Sequence, residues 1–268
     1  MPAALPDKLQ KLQTVFDELG SAIVAFSGGI DSTLVLKVAT DRLGSQAVGV
    51  TAVSPTFPDI ELETARHLSA EIGARHIIIE TDQLKIEDFV RNDSNRCYHC
   101  KTDLYRALEK LQREMHIEAI VDGTNPDDLN DDRPGITAAR EWGVRSPLLE
   151  AGLTKAEIRT LAKEWGLSNW DKPAAACLSS RIPRGIAITR EKLSRVERAE
   201  AFLFHQGYRQ FRVRDHGEIA RIELDAEGMA RMLDPALRAR LAGRLKELGF
   251  QFVTVDVEGY RRGSANAG

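Results

Sequence analysis

Short apolar runs alternate with stretches of helical spacing through the first two thirds of this sequence. The run SAIVAF (residues 21–26) predicts a buried strand, and helical spacing follows over residues 31–43. QAVGVTAV (46–53) and ARHIIIE (74–80) predict two further strands, separated by a helix over 59–72 that Gly73 closes. A helix over 102–115 leads to a strand in EAIVDG (118–123). Another helix is predicted over 154–165, where Thr154 and Glu157 stand in capping-box spacing. Strands regularly separated by helices imply an open α/β layer, a parallel sheet covered on both faces.

The pattern changes after the loop 171–187. A long helix (189–206) precedes two strand runs, 209–215 and 218–224, with only His216 and Gly217 between them. That spacing predicts a hairpin and not a crossover. A helical stretch to about 248 and a last strand, GFQFVTVDV (249–257), complete a smaller α+β domain, expected over 187–268 and leaving 1–186 as the first domain. The tail RRGSANAG is expected to fray.

Composition narrows the classes. Of 268 residues, 43% are hydrophobic and 29% charged, ordinary for a globular chain with a sizeable core. A net charge of −3 argues against a surface that grips nucleic acid or anionic lipid all over, and no nucleic-acid partner is expected. No run approaches the ~18 apolar residues of a membrane span. The opening MPAALPDKLQ lacks the basic-then-apolar order of a signal peptide, so a cytoplasmic protein is expected. Three cysteines exclude a disulfide framework.

The first predicted strand runs directly into SGGIDS (27–32), which opens a helix. Gly28 and Gly29 let the backbone approach an anion, which the N–H groups of the helix start then hold. Asp31, an acid in a phosphate-binding turn, makes sense if magnesium bridges it to the phosphates. Neither the lysine of the G-x-x-x-x-G-K-[ST] loop nor a G-x-G-x-x-G pattern is present. The bland alternative is a Gly-Gly turn between strand and helix. Ser27-Gly28-Gly29-Ile30-Asp31-Ser32 resembles the PP-loop of the N-type ATP pyrophosphatases, whose fold is adenine-nucleotide α-hydrolase-like. The resemblance implies cleavage of ATP between its α and β phosphates, with adenylation of an acceptor oxygen. A second segment, VDGTNPDD (121–128), ends a predicted strand where open sheets bind ligands. The same resemblance makes Gly123, Thr124 and Asp128 nucleotide-site candidates with Ser27, Gly28, Gly29, Asp31 and Ser32, although Gly-Thr-Asn-Pro is also a good turn.

Cys97 and Cys100 form a C-x-x-C pair, and Cys177 stands apart in AAACLSSRIPRG (174–185) with Arg181 and Arg184 close by. Nearby cations favour the thiolate. Three thiolates can hold a four-iron cluster with one iron open; free thiols, or zinc with His99, are the alternatives. In FRVRD (211–215), Arg212 and Arg214 share one strand face and suit phosphate or carboxylate, unless that face is simply solvated. By the same arithmetic Arg221 and Glu223 share a face.

Taken together, SGGIDS, RCYHCK, DGTNPDDLNDDRPG, KPAAACLSSRIPRG and FRVRDHGEIARIEL occur in the order and spacing of the LarE-type ATP-dependent sulfur transferases. This resemblance covers nearly the whole chain. It implies that ATP adenylates a carboxylate of pyridinium-3,5-biscarboxylic acid mononucleotide and that sulfur replaces the activated oxygen, on the way to the nickel-pincer cofactor of lactate racemase. It further implies ATP and Mg2+, with Asp31 holding the metal and acting in catalysis. Cys177 is implied as the second catalytic residue. Arg181, Arg184, Arg212 and Arg214 are implied to meet the substrate. One branch of the family sacrifices its loop cysteine and lacks the C-x-x-C pair. Because Cys97 and Cys100 are present, this chain resembles the branch with three cysteines and a [4Fe-4S] cluster. A homo-oligomer, and partnership with other enzymes of nickel-pincer cofactor assembly, are the accompanying expectations. The competing expectations are a cluster-dependent tRNA thiolation enzyme and a non-catalytic adenine-nucleotide module.

Overall fold

Four of the apolar runs become adjacent strands of one sheet. They are β1 (Ala22–Ala25), β2 (Ala47–Val53), β3 (Arg75–Glu80) and β4 (Ala119–Val121), in the order β3-β2-β1-β4 with every pair parallel. The computed structural model describes residues 4–130, 134–173 and 176–261, with the side chain of Asn130 outside the description. Among these, the residues of Met1–Ser54, Asp59–Gln83 and Asn95–Ala174 form one compact unit, and those of Pro55–Pro58, Leu84–Ser94 and Ala175–Gly268 form another.

The first unit is the expected α/β layer. Period two along β1 sends Ala22 and Val24 into one core and Ile23 into the other. The first core lies against α1 (Leu5–Leu19), α2 (Ile30–Leu43), α3 (Asp59–Ile72), and, further along the chain, two helices at 147–151 and 155–164. α4 (Glu87–Val90) belongs to the second unit. The other core lies against α5 (Arg96–Met115) and α6 (Pro134–Glu141), through Tyr105, Leu108, Ala138 and Ala139. α7 (Pro147–Ala151) and α8 (Lys155–Glu164) are the two helices just placed on the first core. The capping box is present: Thr154 accepts from the Glu157 amide while the Glu157 carboxylate accepts from the Thr154 amide. Winding outward from β1 to β3 and then returning to β4 reverses direction between β1 and β4. Ligands of open sheets bind at such a reversal, beyond the carboxyl ends of the strands.

The second unit carries a three-stranded sheet, β5 (Phe211–His216), β6 (Ile219–Leu224) and β7 (Phe252–Val255). β5 and β6 are the expected antiparallel hairpin, turning at Gly217 with φ +76°, and β7 runs parallel to β6. Phe211, Val213, Ile222 and Leu224 point into a core filled by α9 (Arg190–His205), α10 (Ala226–Arg231) and α11 (Pro235–Glu247).

One boundary needs correction. The helix expected from residue 102 begins at Arg96, so the C-x-x-C pair lies inside α5. Apolar periodicity starts only near Leu104 and Tyr105, yet no glycine or proline between Asn95 and Met115 stops the helix from extending backward. The helices α1, α4, α6 and α7 were not among the expected elements. Residues 262–268, most of the tail expected to fray, lie outside the described residues. No helix among the described residues is long and apolar enough to cross a membrane.

Candidate active site

The phosphate loop is built at the carboxyl end of β1. Phe26 donates its amide to Val50 O and accepts from Thr51 Oγ1, at 2.9 and 2.8 Å, which fixes the strand's last carbonyl and amide. The chain then turns at Gly28, where φ is +70° and a Cβ would sit 3.2 Å from the Ala65 amide nitrogen. Both the conformation and the contact demand glycine. Gly29 caps α2 without any side-chain hydrogen bond to the first turn. Ser32 Oγ donates to Gly29 O (3.0 Å) and lies 3.3 Å from both Ser27 N and Ser27 Oγ, folding the loop on itself. Buried Asn169 donates to Gly28 O (3.3 Å) and Thr33 Oγ1 (2.9 Å), bracing the loop from beneath.

The second segment comes up beside it from β4. Asp122 is a buried hub: its carboxylate accepts from Thr124 N, Thr124 Oγ1, Ser146 Oγ and Tyr105 OH. That hub brings Gly123 so close to α2 that a Cβ would stand 2.8 Å from Ser32 N. The turn continues with Asn125 accepting from the Asp127 amide and Asp128 accepting from the Asn125 amide. Asn125 also donates to Asp31 Oδ1 at 3.5 Å. The turn 122–128 thus stands against the phosphate loop, with Gly123 at Ser32 and Asn125 and Asp128 beside Asp31.

Asp31 has a partner that the sequence reading missed. Lys155 Nζ pairs with its Oδ2, and the Lys155 amide donates to Asp127 Oδ2. Burial pushes the Asp31 carboxyl above the usual carboxylate range, while Lys155 pulls the other way and Asp128 adds to the rise. A half-buried acid facing a lysine and a second acid suits a site where charge is exchanged as ligands arrive. The capping box at Thr154 was legible, and it places Lys155 at the first helical position; only its long reach to Asp31 was not.

Cys97 and Cys100 stand one turn apart in the first part of α5, on a shared face. Cys97 is exposed and Cys100 partly so, and Arg96 approaches the Cys97 sulfur at 4.0 Å. Lys101 lies over the Tyr105 ring at 5.5 Å. Tyr105, Asp122 and Cys100 together favour its charged form. No three His, Cys, Asp or Glu side chains converge as a metal site among the described residues. Two soft donors on one helix face, flanked by cations, fit two corners of an iron–sulfur group.

In the second unit, Cys177 is exposed at the start of a 3-10 turn, Leu178–Arg181. Arg184 is exposed in the following loop. Arg212 and Arg214 do share a face of β5, opposite the core-facing Phe211 and Val213. Buried Arg214 forms a two-pronged pair with fully buried Glu223, at 3.0 and 2.9 Å, and Arg221 reaches the same carboxylate. Arg212 lies over the Tyr260 ring at 5.2 Å. Burial and the like charge of Arg181 lower its affinity for its proton. Burial is the larger cause, and Glu200 offsets part of the like charge.

No protein-family model matches the chain. Individual proteins do. An uncharacterized protein of Synechocystis is 45% identical over 262 residues, 98% of each chain. A glutamine-hydrolyzing GMP synthase of Aeropyrum pernix is 26% identical over 212 residues, covering 72% of this chain and 41% of the relative. The pyridinium-3,5-bisthiocarboxylic acid mononucleotide synthase of Lactiplantibacillus plantarum is 39% identical over 265 residues, 98% of this chain and 95% of its own. An identity of that level over nearly both full lengths, with the phosphate loop just described, makes this chain a member of the LarE family, within the PP-loop superfamily of ATP-using enzymes.

Proposed function

We propose that this chain uses ATP to adenylate a carboxylate of pyridinium-3,5-biscarboxylic acid mononucleotide and then replaces the activated oxygen by sulfur. The observation that supports the reading is the close approach of Gly123 to Ser32, which sets the two segments against each other at the sheet's reversal point. The relative's name gives a bisthiocarboxylic acid mononucleotide as product, and the biscarboxylic acceptor follows from it by exchanging sulfur for oxygen.

In this reading the loop Ser27–Ser32 and the uncapped start of α2 hold the departing pyrophosphate, where negative charge develops as the bond breaks. Ser27 and Ser32 add hydroxyl donors. Asp31 and Asp128 would hold Mg2+, which neutralises charge on the phosphates. Gly123 and Thr124 face the rest of the nucleotide. Lys155, paired with Asp31, would be free to meet a phosphate oxygen wherever Asp31 turned to a bound cation. Arg184 and Arg212 receive the anionic groups of the acceptor, while Arg214, held by Glu223 and Ser180 O, backs the strand that carries Arg212. The carboxylate attacks the α phosphorus of ATP and pyrophosphate leaves. A sulfur nucleophile then adds to the acyl carbon and AMP departs, leaving a thiocarboxylate and a proton.

Cys97, Cys100 and Cys177 would hold the [4Fe-4S] cluster. When bound by three thiolates, such a cluster offers one open iron that can carry a transferable sulfide. Should Cys177 itself surrender its sulfur, the chain stops after one transfer and loses the mass of one hydrogen sulfide. The test is pyrophosphate release measured with and without the acceptor nucleotide. Release that depends on the acceptor supports the reading; release that depends on tRNA, or on no acceptor, overturns it.

A further inference from the structure

The cysteine loop of the second unit is tied to its sheet by one guanidinium. Arg181 is 3% exposed, and all three of its side-chain nitrogens donate. Nε and Nη2 grip the two oxygens of Glu200 on α9, at 2.9 and 2.8 Å. Nη1 turns the other way and meets Ala176 O (2.8 Å), Cys177 O (3.1 Å) and Ser180 Oγ (3.0 Å). Glu200 is itself fixed, because its Oε1 accepts the Val213 amide of β5 at 2.9 Å. A second link runs from the same strand, where Arg214 Nη1 donates to Ser180 O at 2.6 Å. The 3-10 turn is thus held at its entrance by Arg181 and in its middle by Arg214, while the Cys177 side chain stays exposed.

The expectation for Arg181 was contact with substrate. Its donors instead point at backbone carbonyls, a carboxylate and a hydroxyl of the protein. We infer that Arg181 is a positioning residue: with Glu200 as its anchor, it fixes the backbone at Cys177 relative to β5, the strand that carries Arg212 and Arg214. The planar fork matters as much as the charge, since it satisfies a carboxylate and two carbonyls at once, in opposite directions. Lysine, with one point charge on a flexible stem, serves one side or the other. The inference rests on the sulfur-transfer reading for its consequence, and on the geometry of this unit alone for its structure.

The experiment compares Arg181→Gln and Arg181→Lys with the parent protein. Hydrogen exchange is followed at the Ser180 and Ile182 amides, which donate to Cys177 O and Ser179 O within the turn. Both variants should exchange there roughly ten- to a hundred-fold faster, the change that losing charge-assisted hydrogen bonds implies. In turnover, sulfur transfer should lose kcat while the KM for the acceptor nucleotide holds and pyrophosphate release holds. A raised KM with unchanged kcat and unchanged exchange would make Arg181 a substrate ligand and overturn the inference. Full rescue by Arg181→Lys would overturn it as well, since charge alone would then suffice. If Arg181→Gln does not fold, Arg181→Lys still reads the exchange. Undiminished transfer by Cys177→Ser would refute the role of Cys177, and the exchange would still decide whether Arg181 holds the turn.

Discussion

At Gly123 a single hydrogen atom decides whether two segments can pack together. A Cβ there would stand 2.8 Å from Ser32 N and 3.1 Å from Asp31 Cβ, against backbone that has little room to move. Gly123→Ala should therefore push the phosphate loop out of place at a cost of about 1–3 kcal/mol. Part of that shows as lost ATP affinity, about ten-fold or more by calorimetry, with the first-unit core still folded. Unchanged affinity would mean that the two segments do not work together. Asp31→Ala tests the phosphate loop itself. Burial already disfavours the Asp31 charge, so removing it should leave the melting temperature nearly unchanged while abolishing pyrophosphate release. A folded variant with normal release would remove the phosphate-loop assignment. At this scale much was legible in the sequence, because SGGIDS and DGTN are local patterns whose geometry follows from glycine and turn chemistry. Lys155 and Asn169 were not, since each reaches the loop across more than a hundred residues of chain.

Elements were readable where one face is apolar and the other polar. The β5–β6 hairpin, α3 and the capped start of α8 follow from period, turn and cap. The start of α5 did not, because its first turns carry charge and thiols in place of an apolar stripe. The strand β3 holds a test of its own. His76 accepts or donates between Thr51 Oγ1 (2.8 Å) on β2 and Ser69 Oγ (3.1 Å) on α3, and its ring packs edge-on against Phe26. Burial, assisted by the charge of Arg66, lowers its pKa below the ordinary value of about 6.5. A depressed folded pKa means that the unfolded chain takes up the proton first. The stabilisation is complete above about pH 6.5 and is lost as pH falls through the folded value. Melting temperatures followed from about pH 7.5 to about pH 5 should drop more steeply for the parent than for His76→Gln. Parallel curves would show that His76 does not couple this sheet to pH.

Over the whole molecule, the three cysteines divide between the units: Cys97 and Cys100 belong to the first, Cys177 to the second. Sequence spacing could signal a shared task for them but not the arrangement that would serve it, because that depends on contacts far apart in the chain. On the cluster proposal, replacing any one of the three by serine should remove iron and sulfide from anaerobically purified protein and leave adenylation intact. Loss of transfer in Cys177→Ser alone, with metal content unchanged, would favour the sacrificial route. The central claim is sulfur transfer to a carboxylate, and mass spectrometry of the nucleotide after anaerobic turnover with ATP, Mg2+ and sulfide reads it directly. The expected product carries sulfur in place of one carboxylate oxygen, with one AMP and one pyrophosphate released for each replacement. An acceptor nucleotide recovered at its original mass while ATP is cleaved would contradict it.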